Sequence, residues 1–244
     1  MNIGIDVDDT ISNSFETIFA DSQKFDIELG NSGEPKQYGK ISDHNQIETL
    51  YSHWTSEQID AFWNKYFIKV LTIARPKDCA TEVIKKLKEE GNNIVIITSR
   101  YEYAEGGTEI EDYTRKWLEK NGIVYDKLVL GAQDKLQAAK ENNIDLFIDD
   151  SIKHCRNVQS GNIRTLLYTS ICNQGVETPD LERAYSWVQI YDKYHKYFQK
   201  YSKKLFILGK KCGKVKTCQM WSIPQHNKYI CRVGRAYPGA KRGL

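Results

Sequence analysis

Ile3 to Val7 is a short apolar run that ends in acids, and Ile94 to Ile97 is an unbroken β-branched run. Neither alternates with polar residues, which is the pattern of strands buried on both faces of a parallel sheet. After Ile3 to Val7, helical spacing takes over. Ala80, Val83, Ile84 and Leu87 fall on one helix face that stops at Gly91, and Ile110, Tyr113, Trp117 and Leu118 repeat the pattern up to Gly122. Residues 127–130, 134–142, 144–148, 152–158 and 163–168 continue as strand, helix, strand, helix and strand. This alternation predicts an α/β fold with a doubly wound, Rossmannoid parallel sheet.

Two stretches break the rhythm. Between the first strand and the first core helix, residues 12–73 offer helical patterns near 14–25 and 56–67 around a polar, Gly-containing middle, and read as a helical insert. The core is then 1–11 together with 74–191. Beyond it, residues 192–244 carry 14 Lys and Arg against a single acid, Asp192, leaving 21 basic and 31 acidic residues in the rest of the chain. The net charge of +3 therefore hides an acidic body and a basic tail. Short strands are expected in that tail near 205–208 and 229–233. No apolar run reaches the roughly 18 residues of a membrane span, so no membrane contact is expected. The six cysteines lack paired short spacing, which points to a reducing cytoplasm.

Ligands of an open α/β sheet gather beyond the carboxyl ends of its strands. The residues at those ends are Asp6-Val7-Asp8-Asp9-Thr10 after the first strand and Thr98-Ser99-Arg100 after the second. Lys135 opens the helix after the third, and Asp149-Asp150-Ser151 follow the fourth. Crowded carboxylates repel one another unless a cation lies among them. Oxygen-only ligands favour a hard ion, Mg²⁺ before Zn²⁺. With Lys135 for charge and Thr98 or Ser99 as a hydrogen-bond donor, the set describes a phosphoryl site. One Asp can attack phosphorus, and a second can protonate the leaving oxygen and later activate water. Arg100 either reaches the substrate phosphate or pairs with an acid such as Glu102.

In these motifs the chain resembles the haloacid dehalogenase (HAD) superfamily of phosphohydrolases, whose DxDx(T/V), Ser/Thr, Lys and DD elements match Asp6/Asp8/Thr10, Thr98, Lys135 and Asp149/Asp150 in order. The match runs from Met1 to about Tyr168. GIDVDDT, ITSR and DLFIDDS look similar to the 5'-nucleotidases of the deoxyribonucleotidase type C branch. The resemblance implies Asp6 as nucleophile and Asp8 as acid/base. It also implies Mg²⁺ held by Asp6, the Asp8 carbonyl and one of Asp149 or Asp150, and a C1-type cap formed by the insert. Asp9 stands where many members carry Gly, and the basic tail has no counterpart.

The expected activity is that of a Mg²⁺-dependent phosphomonoesterase acting on a small, nucleotide-like phosphate ester. Two rivals use the same residues: a phosphatase for nucleic-acid ends gripped by the basic tail, and a non-catalytic phosphate-binding or interaction protein. A 60-residue lid would obstruct a polymer, and the intact acid set argues against loss of catalysis. The tail is expected to make non-specific polyanion contact at most. Trp54, Phe62, Trp63 and Phe67 of the insert are aromatic enough to stack a base, although helical spacing favours a packing role.

Overall fold

The computed structural model describes residues 1–36, 46–100 and 108–197. Among these residues six strands, Asn2–Ile5 (β1), Asn93–Ile97 (β2), Lys127–Val129 (β3), Leu146–Asp149 (β4), Arg164–Tyr168 (β5) and Arg183–Ala184 (β6), form one sheet in the order β3-β2-β1-β4-β5-β6. Every neighbouring pair is parallel. The order reverses direction between β1 and β4, so a crevice opens beyond their carboxyl ends, where open α/β sheets place ligands.

Successive residues of a strand point to opposite faces, and each face has its own apolar layer. Ile3, Ile5, Ile94, Ile96, Leu146 and Ile148 face one side. The helices that supply this layer are Ala80–Glu89 (α4), through Val83, Ile84 and Leu87, and Thr108–Lys120 (α5), through Trp117 and Leu118. Val95, Ile97 and Phe147 face the other side, under Lys135–Glu141 (α6) and Ile152–Ser160 (α7). Gly4 belongs to this second face. A Cβ there would lie 3.0 Å from the Phe147 ring and 3.2 Å from both Ile144 and Ile97, so the central strand lacks a side chain where its neighbour's Phe fills the layer.

Among the described residues between β1 and α4 are three helices, Ser14–Glu28 (α1), Gln46–Leu50 (α2) and Ser56–Ile73 (α3). A capping box of Thr55 and Gln58 starts α3. The three helices enclose their own apolar cluster, including Phe15, Phe25, Leu50, Tyr51, Trp54, Phe62 and Tyr66. The chain enters and leaves this unit along adjacent paths, with Asn13 N–H donating to the Arg75 carbonyl (2.7 Å) and Lys77 N–H to that of Ile11 (2.6 Å). Trp54 and Phe62 are core residues. The Trp54 ring stacks on Tyr51 with centroids 4.4 Å apart, and its Nε1 donates to the buried Asp26 at 2.7 Å. Trp63 and Phe67 pack against each other edge to face and stay only partly covered.

At the other end the sequence boundary at 192 needs correcting. Residues 187–197 are helical (α8), and Trp187, Ile190 and Tyr194 are buried in the sheet's first layer. Tyr194 also accepts a hydrogen bond from Asn92 Nδ2 at 2.8 Å. The Lys-rich composition disguised the last turns of a packed helix. Neither α8 nor the two-residue β6 was foreseen. The expectations for the tail beyond 197, and Glu102 as a partner, lie outside the described residues. Among the described residues, no helix is long and apolar enough to cross a membrane.

Candidate active site

The carboxyl ends of β1 and β4 bring three acids together. Asp6, Asp149 and Asp150 are buried, and one carboxylate oxygen of each lies within 4.8 Å of the others. The Asp6 N–H donates to the Ile148 carbonyl (3.0 Å), which continues the β1–β4 register one residue past the strand. Lys135, at the first position of α6, turns inward and is wholly buried. Its Nζ donates to Asp6 Oδ1 (2.7 Å) and to the Ile97 carbonyl (2.6 Å), and stands 3.8 Å from Asp149 Oδ2. A lysine is poorly placed at a helix N-terminus. Asp134 caps the helix instead, accepting from the N–H groups of Leu136 and Gln137, so the lysine can be spent on the acids.

One cation does not balance this group. Burial pushes the Asp6 carboxyl up to about 7; Lys135 opposes this, and the charges of Asp149 and Asp8 add to it. Burial, with Asp9, Asp149 and Asp6 close by, also raises Asp150 well above its ordinary value. Among the described residues, Asp149 Oδ2 is a buried oxygen with no hydrogen-bond partner. Three convergent carboxylates, one orphaned oxygen and excess negative charge fit a hard divalent ion, as the sequence expects of Mg²⁺.

These acids should leave a thermodynamic signature. In the unfolded chain they ionise near pH 4, whereas in the fold Asp6 keeps its proton to about 7 and Asp9, buried beside Asp8, to about 6. From about pH 5 to about pH 7.5 the folded state then binds more protons than the unfolded, and stability falls as pH rises. Carboxylates held low, Asp8 among them, are ionised in both states over most of this window. Thermal melts in chelator should show a falling Tm across this range, and added Mg²⁺ should raise Tm more at its upper end. A Tm that climbs across the range would contradict the charge excess.

Asp8 points elsewhere. Its carboxylate meets Arg100 in a two-point pair, Nε to Oδ2 at 2.8 Å and Nη2 to Oδ1 at 2.7 Å, and accepts from Ser14 Oγ at 2.6 Å. Desolvation alone would raise Asp8, but the Arg100 guanidinium and the Ser14 hydroxyl hold it below the ordinary value. The third nitrogen of Arg100 faces Thr114 Oγ1 at 3.4 Å. Of the two roles the sequence leaves open for Arg100, substrate phosphate or an acid, its donors turn to an acid, Asp8, and to α5. Thr98 is buried after Ile97 and accepts from the Arg100 N–H (3.2 Å), while Ser99 Oγ donates to the Ala132 carbonyl (3.2 Å). Both shape the turn after β2.

Asp9 has φ 54°, in the left-handed region that favours glycine. Asp tolerates it, and here Oδ1 accepts from the Phe15 N–H at 2.9 Å, anchoring the first turn of α1. Sequence reasoning missed His154, whose Nδ1 lies 3.4 Å from Asp149 Oδ2. It also missed Ser14 and the loop after β5, none of which carries a motif.

A family described as "5' nucleotidase, deoxy (Pyrimidine), cytosolic type C protein" matches residues 1–199. The chain belongs to this family. It is accordingly a HAD-superfamily phosphohydrolase, a phosphoric monoester hydrolase close to the type C nucleotidases. A nucleotidase of Clostridium acetobutylicum is 27% identical over 206 residues, covering 82% of this chain and 96% of the relative. The fold is also that of a predicted phosphatase from the same organism (TM-score 0.59, 15% identity, 80% of this chain and 98% of that one). A haloacid dehalogenase-like hydrolase from Streptococcus pneumoniae shares it too (TM-score 0.58, 15% identity, 79% and 97%). The type C match extends past Tyr168, where the motif resemblance ends, and takes in β6 and α8.

Proposed function

We propose that this type C family member is a Mg²⁺-dependent phosphomonoesterase that hydrolyses a nucleoside monophosphate or similar small ester through an aspartyl phosphate on Asp6. The observation that carries this reading is the buried group of Asp6, Lys135, Asp149 and Asp150 at the switch point of the sheet. Mg²⁺ bound by Asp6, the Asp8 carbonyl and Asp149 or Asp150 would neutralise the acids and draw charge from the phosphoryl oxygens. An Asp6 oxygen attacks phosphorus, and the bond from phosphorus to the leaving oxygen breaks. Asp8 gives that oxygen a proton, which it carries only once it has left the Arg100 pair that keeps it ionised in the resting site. In the second step Asp8 takes a proton from water as the water attacks the same phosphorus, releasing phosphate and restoring Asp6. Lys135 offsets charge on Asp6 and the phosphoryl group throughout, and Thr98, whose hydroxyl accepts from the Arg100 N–H and keeps its own hydrogen to donate, is the further phosphate contact in this reading; Ser99 would join it only by giving up the Ala132 carbonyl. Arg100 keeps Asp8 ionised, the form the second step uses.

The nucleotide preference rests on the family and on the name of the Clostridium relative. In this reading residues 12–73 act as the cap that excludes water and selects the leaving group. The test is phosphate release from a panel of nucleoside monophosphates and small phosphate esters, with Mg²⁺ and with chelator. Turnover should be Mg²⁺-dependent and strongest on a nucleotide; no release from any ester would defeat the proposal. Asp8→Asn should lower kcat by about 10²- to 10⁴-fold. A loss under tenfold would move the acid/base role to another group, Asp9 being the first to examine.

A further inference from the structure

Asp150 is held from a side that no motif marks. Its N–H donates to Thr10 Oγ1 at 2.9 Å, and the same hydroxyl faces Asp150 Oδ1 at 3.4 Å. The other carboxylate oxygen, Oδ2, accepts from Ser170 Oγ at 2.8 Å. The Asp150 carbonyl accepts from Asn173 Nδ2 at 2.6 Å. Ser170 and Asn173 are buried in the loop that follows β5.

That loop has anchors besides Asp150. Arg183, on β6, donates to Thr169 Oγ1 (3.3 Å), Asn173 Oδ1 (2.8 Å), the Asn173 carbonyl (3.0 Å), the Val176 carbonyl (2.6 Å) and Thr178 Oγ1 (2.8 Å). Cys172, in the same loop, is buried in the apolar cluster of the helical unit. The loop is therefore gripped by the sheet edge and by the residues 12–73 unit, and it presents the Ser170 hydroxyl to Asp150 from a fixed base.

A hydroxyl suits this position for an electrostatic reason. Lys or Arg there would orient the carboxylate but also cancel its charge, and so compete with a bound cation. A neutral donor orients it and leaves the charge in place, and groups that orient metal ligands in this way commonly change metal affinity by 10- to 100-fold.

We propose that Ser170 is a positioning residue for the carboxylate cluster. Through Asp150 Oδ2 it sets the affinity of Asp6, Asp149 and Asp150 for a divalent cation, on a loop that ties this cluster to the helical unit. The inference rests on the reading of the cluster as a Mg²⁺ site.

The test is Mn²⁺ binding to the full chain, followed by the loss of the free-ion paramagnetic resonance signal, in wild type, Ser170→Ala and Ser170→Thr. Ser170→Ala should raise the Mn²⁺ Kd by about 10- to 100-fold, while its metal-free Tm falls by no more than a few degrees. Ser170→Thr, which keeps the hydroxyl, should bind nearly as wild type does. On an Asp150→Asn background Ser170→Ala should have no further effect. Ser170→Ala binding with the wild-type Kd would overturn the inference, as would an equal loss in Ser170→Thr. The functional reading fails differently: wild type would then neither bind Mn²⁺ nor release phosphate.

Discussion

Asp6→Asn is expected to lose turnover by at least about 10⁴-fold, the scale on which removal of a covalent nucleophile is felt. The substitution deletes the attacking charge and keeps the shape. Asn Oδ1 can still accept from the Lys135 ammonium that Asp6 Oδ1 meets at 2.7 Å. Stability should move the other way. Burial already pushes Asp6 up to about 7, so at pH 7.5 the fold carries a charge its surroundings resist, and a neutral amide relieves that cost. The metal-free variant should therefore melt at or above the wild-type temperature at that pH, and show a shallower decline of Tm with pH. An inactive variant that also fails to fold would mean that the Asp6 carboxylate is structural. An active one would remove it from the chemistry.

Lys135→Met should damage both stability and catalysis. The side chain has no exposed surface, and its ammonium serves Asp6, the Ile97 carbonyl and, at 3.8 Å, Asp149. Met nearly matches its length but leaves the acids without their protein counter-charge. Breaking a buried ion pair by removing one partner costs about 3–5 kcal/mol. In chelator at pH 7.5, urea unfolding should show a loss of that order. The loss should shrink at pH 5, where Asp6 takes up its proton, and on adding Mg²⁺. Removing a preorganised positive group should also lower kcat by about 10²- to 10³-fold. Turnover within tenfold of wild type would take Lys135 out of the phosphoryl site.

The sheet and the acids at its strand ends were legible because two simple rules coincide. Strands buried on both faces must be continuously apolar, as Ile94 to Ile97 are, so their ends show where polar residues begin. The pairing of Arg100 with Asp8 was harder to see, and the sequence offered Glu102 instead. It follows from topology: β1 and β2 are parallel neighbours with Ile5 opposite Ile96, so residues a few positions past each strand meet again. Ser170, Asn173 and Arg183 gave no signal. They sit in a polar, aperiodic stretch and act through contacts set by the two-residue β6. His154 likewise reaches Asp149 only because Ser151 caps α7 and turns its first residues back over the strand end. The tail boundary slipped because the last turns of α8 carry Lys193 and Lys196 around the buried Tyr194, and charge alone does not separate them from the basic residues that follow.

Phosphoryl transfer through Asp6 can be trapped by turnover in the presence of hydroxylamine, which captures acyl phosphates as hydroxamates, followed by mass spectrometry of the peptide that contains Asp6. Inactivation should require both ester and Mg²⁺ and leave the hydroxamate on Asp6. Continued turnover in hydroxylamine with Asp6 unmodified, or a hydroxamate on a different acid, would contradict transfer through Asp6.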